Sequence, residues 1–408
     1  MKKILFACAL LSVSTAMFAQ KSALTKANTL LGEALADVKQ IKYDKVDQAW
    51  EAIQGAMANP VTEVMPETWG TAGRIKAIYM NKMLTDRSLN GGEMDMDAFF
   101  DNQYDIVTFY SKSDSLFKVP NAKGKMTKDE DIAKNHTMAL NNSHGARSNL
   151  LIAGNALMEK DPARCRKFLD LYFKSFKDPL FADLDLANTD SMLPDAYLFY
   201  AVSLQNEAKT PEDTTRVAEY FEKATASKKN AISAYIMLMD IAKNRNEMEK
   251  WAGYCNTGID KFPTETAFPR NLINYYVREN RLDDAIATCD KMIQNFPEDD
   301  YGYYWKAVSY YQQNKNTEAL EWFKKAAEVN AENPESWAGA GNSAWKLARD
   351  NQDNKAKAKP FYDEAIQHYL KVKELAPDKP ELWGYFLYAI YNNSGNTKEA
   401  ANYKQYSK

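Results

Sequence analysis

Apolar residues recur along this chain at intervals of three and four, the spacing of one face of a helix, and the pattern itself repeats. Between Glu265 and Ala344 it returns every 34 residues. Ala285 opens the apolar run of one helix and Ala319 the run of the next. Pro263 and Pro297 close successive units, and Tyr303 and Trp337 stand in equivalent places. Within the frame, Tyr303…Ala307…Tyr310 leads to Ala319…Phe323…Ala326, and Trp337…Gly341…Ala344 follows in register. Apolar spacing at a fixed long period is what stacked helix pairs require, because one pair cannot bury its apolar face alone.

The frame is regular from Pro194 onward. Opening helices are expected near Pro194, Ile232, Thr266, Asp300, Pro334 and Pro380, with gaps of 38, 34, 34, 34 and 46. The excess in the first gap falls at Thr210–Thr215, and the larger one at Asp350–Lys359, in loops or lengthened helices. Upstream, residues 22–41 and 46–57 read as helices, Pro60 ends the second, and Pro66-Glu-Thr-Trp69 opens a third. A first-turn proline followed by an acid recurs at Pro334-Glu335 and Pro380-Glu381. It suits a helix start, since the missing N–H would be unpaired there and the acid meets the helix dipole. Leu84–Asp97 reads as an irregular connection, Asp95–Ser111 as a helix, and Lys118–Asn135 as an exposed insertion. Met138–Glu159 and Ala163–Phe176 form a further pair, Asp178–Asp190 is irregular, and Lys398–Lys408 is a polar closing helix.

From Pro194 to the end the chain resembles the tetratricopeptide repeat family. Trp337, Gly341, Ala365, Pro377 and Trp383 carry the resemblance, with Ala319, Phe323 and Ala326. Cys255 and Cys289 replace the motif aromatic, Trp251 stands where a small residue belongs, and Ala331 replaces the terminal proline. Looser pairs of the same kind cover residues 22–190. The expected fold is all-α: a right-handed solenoid of about seven or eight antiparallel helix pairs. Three regions follow: a signal peptide at 1–19, irregular pairs at 20–190, and a regular array with a C-terminal cap at 191–408.

In this family the first helices line a concave surface. Applied in frame, the stripe facing that surface holds Arg270 and Asn274, then Tyr304 and Tyr311, then Asn342 and Trp345, then Tyr388 and Tyr391, with Tyr301 at its border. Such aromatics offer apolar area with a polar handle, as peptide interfaces and sugar-stacking sites do. The resemblance implies a non-enzymatic scaffold that takes a peptide or protein on this face. The alternative is a glycan-capture protein of the outer-membrane uptake type. Some relatives clamp a terminal carboxylate with Lys, Asn and Arg from three repeats. Here Arg270 and Asn274 match the first element, but Trp305, Glu335 and Gly339 occupy the other places.

Composition narrows the partners. The formal charge is −3 and no basic block occurs, which argues against nucleic acid. Lys2-Lys3, the apolar run Ile4–Val13 and the small residues before Ala19 are ordered as in a signal peptide, so a periplasmic or secreted protein is expected. Leu5-Phe6-Ala7-Cys8 resembles a lipoprotein box but stands too close to Lys3. No stretch reaches the roughly 18 apolar residues of a transmembrane helix. Past residue 19 the cysteines are Cys165, Cys255 and Cys289. Cys255 and Cys289, equivalent points 34 apart, read as buried apolar residues and not as a bridge. His136, His144 and His368 read as solvated surface residues, and no metal, cofactor or nucleophile motif accompanies them. Asp114-Ser115-Leu116, Asp190-Ser191-Met192 and Asp213-Thr214-Thr215 resemble O-glycosylation tripeptides and are expected in loops.

Overall fold

The structure, a computed structural model, describes residues 22–37, 40–91, 93–121 and 123–407. The targeting segment expected at 1–19, with Cys8, lies outside them. All regular elements among the described residues are helical. Following α1 (22–34) are α2 (Tyr43–Met57), α3 (Pro66–Asn90), α4 (Met96–Phe117), α5 (Asp129–Leu157) and α6 (Pro162–Ser175). A 3₁₀ segment, Pro179–Leu184, leads to α7 (Leu186–Thr189), α8 (Leu193–Gln205), α9 (Pro211–Ala224) and α10 (Ala231–Asn244). The regular array continues with α11 (Met248–Lys261), α12 (Ala267–Arg278), α13 (Leu282–Asn295), α14 (Asp300–Gln312) and α15 (Asn316–Val329). It closes with α16 (Pro334–Asp350), α17 (Lys355–Leu375), α18 (Gly384–Asn393) and α19 (Thr397–Asn402). The chain divides into two compact units, one running to Ala234 and one comprising Tyr235–Lys408.

In the first unit, helices adjacent in sequence pack on one another from α2 through α6, then α6 on α8 and α8 on α9. Leu31, Ile53 and Ile75 are buried in its first core, with Trp50, Trp69 and Phe109 against them. Arg147 of α5 is the buried cation of this unit. Its guanidinium lies 2.7 Å from Asp190, donates from Nε to Ser175 and covers the Tyr172 ring at 4.4 Å. Asp190 also accepts from the Tyr172 hydroxyl at 2.7 Å, so the segment before α8 is tied to α5 and α6.

Three expectations for this unit are corrected. The connection expected over Leu84–Asp97 is mostly helix, because 84–90 carries no Pro or Gly and α3 runs on until Gly91 takes φ +63°. The insertion expected over Lys118–Asn135 gives way to α5 at Asp129, where Asp129, Glu130 and Asp131 complement the helix dipole. Two of the three glycosylation-like tripeptides sit in helices: Asp114–Leu116 within α4, and Asp213–Thr215 in the first turn of α9, where Asp213 completes a capping box with Thr210.

All but one of the turns from an opening helix to its partner in the second unit are closed by the same device. Asn246, Asn280 and Asn314, spaced by 34, adopt φ near +60° (58°, 57° and 61°). Asparagine tolerates this left-handed conformation better than other residues with a side chain. The next N–H in each case reaches back five residues: Glu247 to Ala242, Arg281 to Tyr276 and Lys315 to Tyr310, at 2.8 to 3.0 Å. Gly395, at φ +83°, closes the last pair in the same way. The equivalent position in the pair between is Ala348, which is buried and stays helical, so α16 continues to Asp350. The extra residues near Asp350–Lys359 thus lengthen α16 and α17.

The core of this unit alternates small and large residues: Ala307, Ala340 and Ala344 face Phe323 and Tyr369. The chain's end is less polar than expected. Pro380–Leu382 forms a 3₁₀ turn, α18 starts only at Gly384, and Tyr403 and Tyr406 pack on the rings of Tyr391 and Trp383. Apolar area at the open end of the stack is covered by these rings. Two histidines also depart from expectation. His368 is buried beside the Trp337 ring, and His136 donates or accepts at 2.8 Å with the buried carboxylate of Asp114. His144 is exposed.

Candidate functional site

The opening helices α12, α14 and α16 touch in succession and form one layer of the second unit. Two adjoining clefts run along α16 on this layer. The upper one, of about 230 Å³, is lined by Tyr304, Tyr311, Phe323, Glu335, Ala338, Gly339 and Asn342. The lower one, of about 620 Å³, is lined by Tyr311, Asn342, Trp345, Lys346, Arg349, Asp350, Gln352 and Phe386. Tyr311 and Asn342 belong to both, so the two make one continuous groove.

The groove floor is built tightly. A methyl on Gly339 would lie 2.4 Å from the Phe323 ring, so this position admits no side chain and leaves the upper cleft open. Asn342 is held from behind: the Tyr369 hydroxyl donates to its Oδ1 at 2.7 Å, and Tyr369 stacks on Phe386 at 4.7 Å. Among the described residues nothing accepts from the Asn342 side-chain amide nitrogen. The Trp345 ring meets Phe386 edge-on at 6.3 Å, and its indole N–H is buried without a partner among the described residues. Burial raises the Tyr304 hydroxyl pKa, and the nearby Glu335 charge adds to the shift. The rim is charged. Lys346 donates to Asn314 at 2.6 Å and lies 5.3 Å from the Tyr311 ring, and the Arg349 guanidinium lies 5.9 Å from the Trp345 ring.

The expected stripe is gathered only in part. Tyr304, Tyr311, Asn342 and Trp345 meet in the groove. Arg270, Asn274 and Tyr301 form a separate cluster. There Arg270 is 2.7 Å from Asp299 and stacks on Tyr301 at 4.5 Å, while the Tyr301 hydroxyl donates to Asn274 at 2.7 Å. These three are held to one another and to Asp299, with the Arg270 Nε left buried and unbonded among the described residues, and they line neither cleft. Tyr388 and Tyr391 pack into the C-terminal core, Tyr391 stacked on Tyr403 at 5.8 Å. Glu335, Lys346, Arg349 and Phe386 line the groove without having been expected there. Three of them lie on α16 and were legible as neighbours of the stripe, but Phe386 depended on the delayed start of α18.

Other candidate chemistry is quiet. No group of three or more His, Cys, Asp or Glu among the described residues could hold a metal ion. The described cysteines are free and buried, and desolvation pushes the Cys165 and Cys255 thiols up to about 12. A cleft in the first unit, lined by Tyr104, Arg166, Lys167 and Lys174 among others, has two of its three cations engaged: Arg166 with Glu207, Lys167 over Tyr104.

Residues 270–345, which include most of the groove, match the family model of the tetratricopeptide repeat. Over those residues the chain carries the tetratricopeptide repeat. No curated protein matches it in sequence. Among solved structures it is similar to the C-terminal part of a repeat protein from Cytophaga hutchinsonii, with 14% identity over 62% of this chain and 92% of that one, at a TM-score of 0.39. It is also similar to MamA, with 15% identity over 43% and 89%, at 0.36. YrrB, described as a tetratricopeptide protein with an unusual peptide-binding site, shows 20% identity over 46% and 89%, at 0.35. No described helix is long and apolar enough to cross a membrane.

Proposed function

We propose that this protein is a non-catalytic scaffold of the cell envelope that holds an extended segment of a partner protein in the groove along α16. The observation that carries the reading is the continuity of the two clefts through Tyr311 and Asn342. An extended chain needs a groove with aromatic side walls and unused hydrogen-bonding groups along its length. Tyr304, Tyr311, Trp345 and Phe386 supply the walls, and Asn342 supplies the donor. The signal-like order of residues 1–19 supports export.

A photo-reactive phenylalanine at position 311 tests this in the native host. It should give a discrete adduct to one protein, mapped by mass spectrometry to a short stretch of that partner. The same probe at Gly253, exposed on α11 with open space around it, should not. Equal labelling from both positions, or none from 311, would refute the groove. If a panel of soluble glycans binds the groove in calorimetry while no peptide adduct forms, glycan capture replaces this reading.

A further inference from the structure

Most cations near the opening-helix layer of the second unit are already neutralised. Arg270 pairs with Asp299, Arg281 with Asp284, and Lys306 with Asp290. Lys346 and Arg349 differ. Both line the lower cleft, and neither has an ion-pair partner among the described residues. The cleft's own carboxylate, Asp350, accepts from Asn316 of α15 at 3.4 Å. At the other end of the groove the Glu335 carboxylate is likewise unpaired, its backbone N–H alone being used by Asn333. So the groove has an anionic end and a cationic end, with rings between them.

We infer that the groove selects by charge polarity: it takes an extended partner segment with a carboxylate at the end beside Lys346 and Arg349 and a cationic group at the end beside Glu335. The inference rests on the groove being the binding site. Glu335 and Arg349 are 14 positions apart on one helix. At about 1.5 Å per residue they are separated by roughly 21 Å along its axis. A strand-like chain covers that distance in about six residues at roughly 3.3 Å each. The cationic end has its second cation, Arg349, because α16 has an additional turn. With a left-handed asparagine at position 348 the helix would have ended before Arg349, as α14 ends before Asn314. The insertion at Asp350–Lys359 therefore supplies a recognition element that the shorter pairs lack.

The test uses fluorescein-labelled hexapeptide pools, capped at both ends and apolar or aromatic at the four central positions. Their terminal pairs are Lys/Glu, Lys/Gln, Gln/Glu and Gln/Gln, each also made in reverse so that either backbone direction is sampled. Anisotropy titrations use the full chain. Each matched charge should tighten binding by about fivefold, as for a partly exposed ion pair, and less at high salt. The double change Lys346→Gln, Arg349→Gln should remove the Glu-dependent part alone. Glu335→Gln should remove the Lys-dependent part alone. Circular dichroism checks that the variants fold, since both charges also favour the helix dipole. Equal affinity for all pools overturns charge selection and leaves the groove standing. A charge preference that survives in the variants places it elsewhere and overturns the inference. Failure of every pool to bind, together with no adduct from position 311, removes both readings.

Discussion

Gly341→Ala is the sharpest probe of how the array is held together, because its cost follows from the closeness of the packing around it. The added methyl would lie 2.7 Å from both Cδ2 and Cε2 of Tyr369. Real contacts of that kind are longer, so something must move. Tyr369 has little room: its ring is stacked 4.7 Å from Phe386, its hydroxyl is bonded to Asn342, and it is fully buried. Overpacking costs about 1–3 kcal/mol, and a ring pinned on both sides belongs at the upper end. Replacing a helix-interior glycine by alanine returns about 1 kcal/mol. The net loss is about 2 kcal/mol. With a urea slope of about 2 kcal/mol/M, the unfolding midpoint should fall by about 1 M. Tryptophan fluorescence and far-UV circular dichroism should show it together. Gly145→Ala on α5 is the control, since nothing lies within 4 Å of its methyl. It should stabilise by up to about 1 kcal/mol. Shrinking the obstacle with Tyr369→Leu should reduce the cost of Gly341→Ala in a double-mutant cycle. An unchanged or raised midpoint for Gly341→Ala would show that the ring yields freely, and the close-packing argument would fail for Gly339 too.

Other consequences can be checked in parallel. Arg147→Ala strands Asp190 at a site where the carboxylate side chain is 10% exposed. The loss should be about 3 kcal/mol in the first unit, the lower end for breaking a buried pair, and a loss under about 1 kcal/mol contradicts it. Burial holds Cys165, Cys255 and Cys289 as protonated thiols. An aromatic disulfide reagent at mild alkaline pH should label none of them within minutes in the folded protein and all of them in denaturant; rapid labelling of any one refutes its burial. Burial depresses the His368 pKa below its ordinary 6.5, with Glu364 opposing. The unfolded chain therefore binds this proton more readily than the folded one. Its contribution to stability is full above pH 6.5 and declines as the pH falls from there towards the folded value. The fall in denaturation midpoint between about pH 7.5 and 5.5 should be smaller in His368→Gln. An identical fall in both proteins assigns the effect elsewhere.

Much of the fold was legible because its signals are local. The 34-residue frame, the aromatic at Phe323 and the cysteines standing in for it at 255 and 289 all describe one stripe of one helix. The asparagines at 246, 280 and 314 carry the same period and mark three of the turns in the sequence itself, since asparagine tolerates the left-handed conformation. The candidate site was half legible. Tyr304, Tyr311, Asn342 and Trp345 follow from the frame, but Arg270, Asn274 and Tyr301 obey the same spacing and are occupied by one another and by Asp299. Spacing places a side chain on a face. It does not report whether a neighbour already satisfies it.

What the sequence determined by itself, then, is the repeat: helix pairs of fixed length, their apolar stripes and the turn residues between them. These depend on backbone propensity and on contacts within one unit or between adjacent ones, which recur as often as the motif does. Tertiary structure alone decided where the repeat is broken usefully. Ala348 is buried and stays within α16, the delayed start of α18 brings Phe386 onto Trp345, and the additional turn sets Arg349 beside Lys346 at the groove. Those outcomes depend on which groups meet across helices, and each side chain's partners are set by packing in three dimensions.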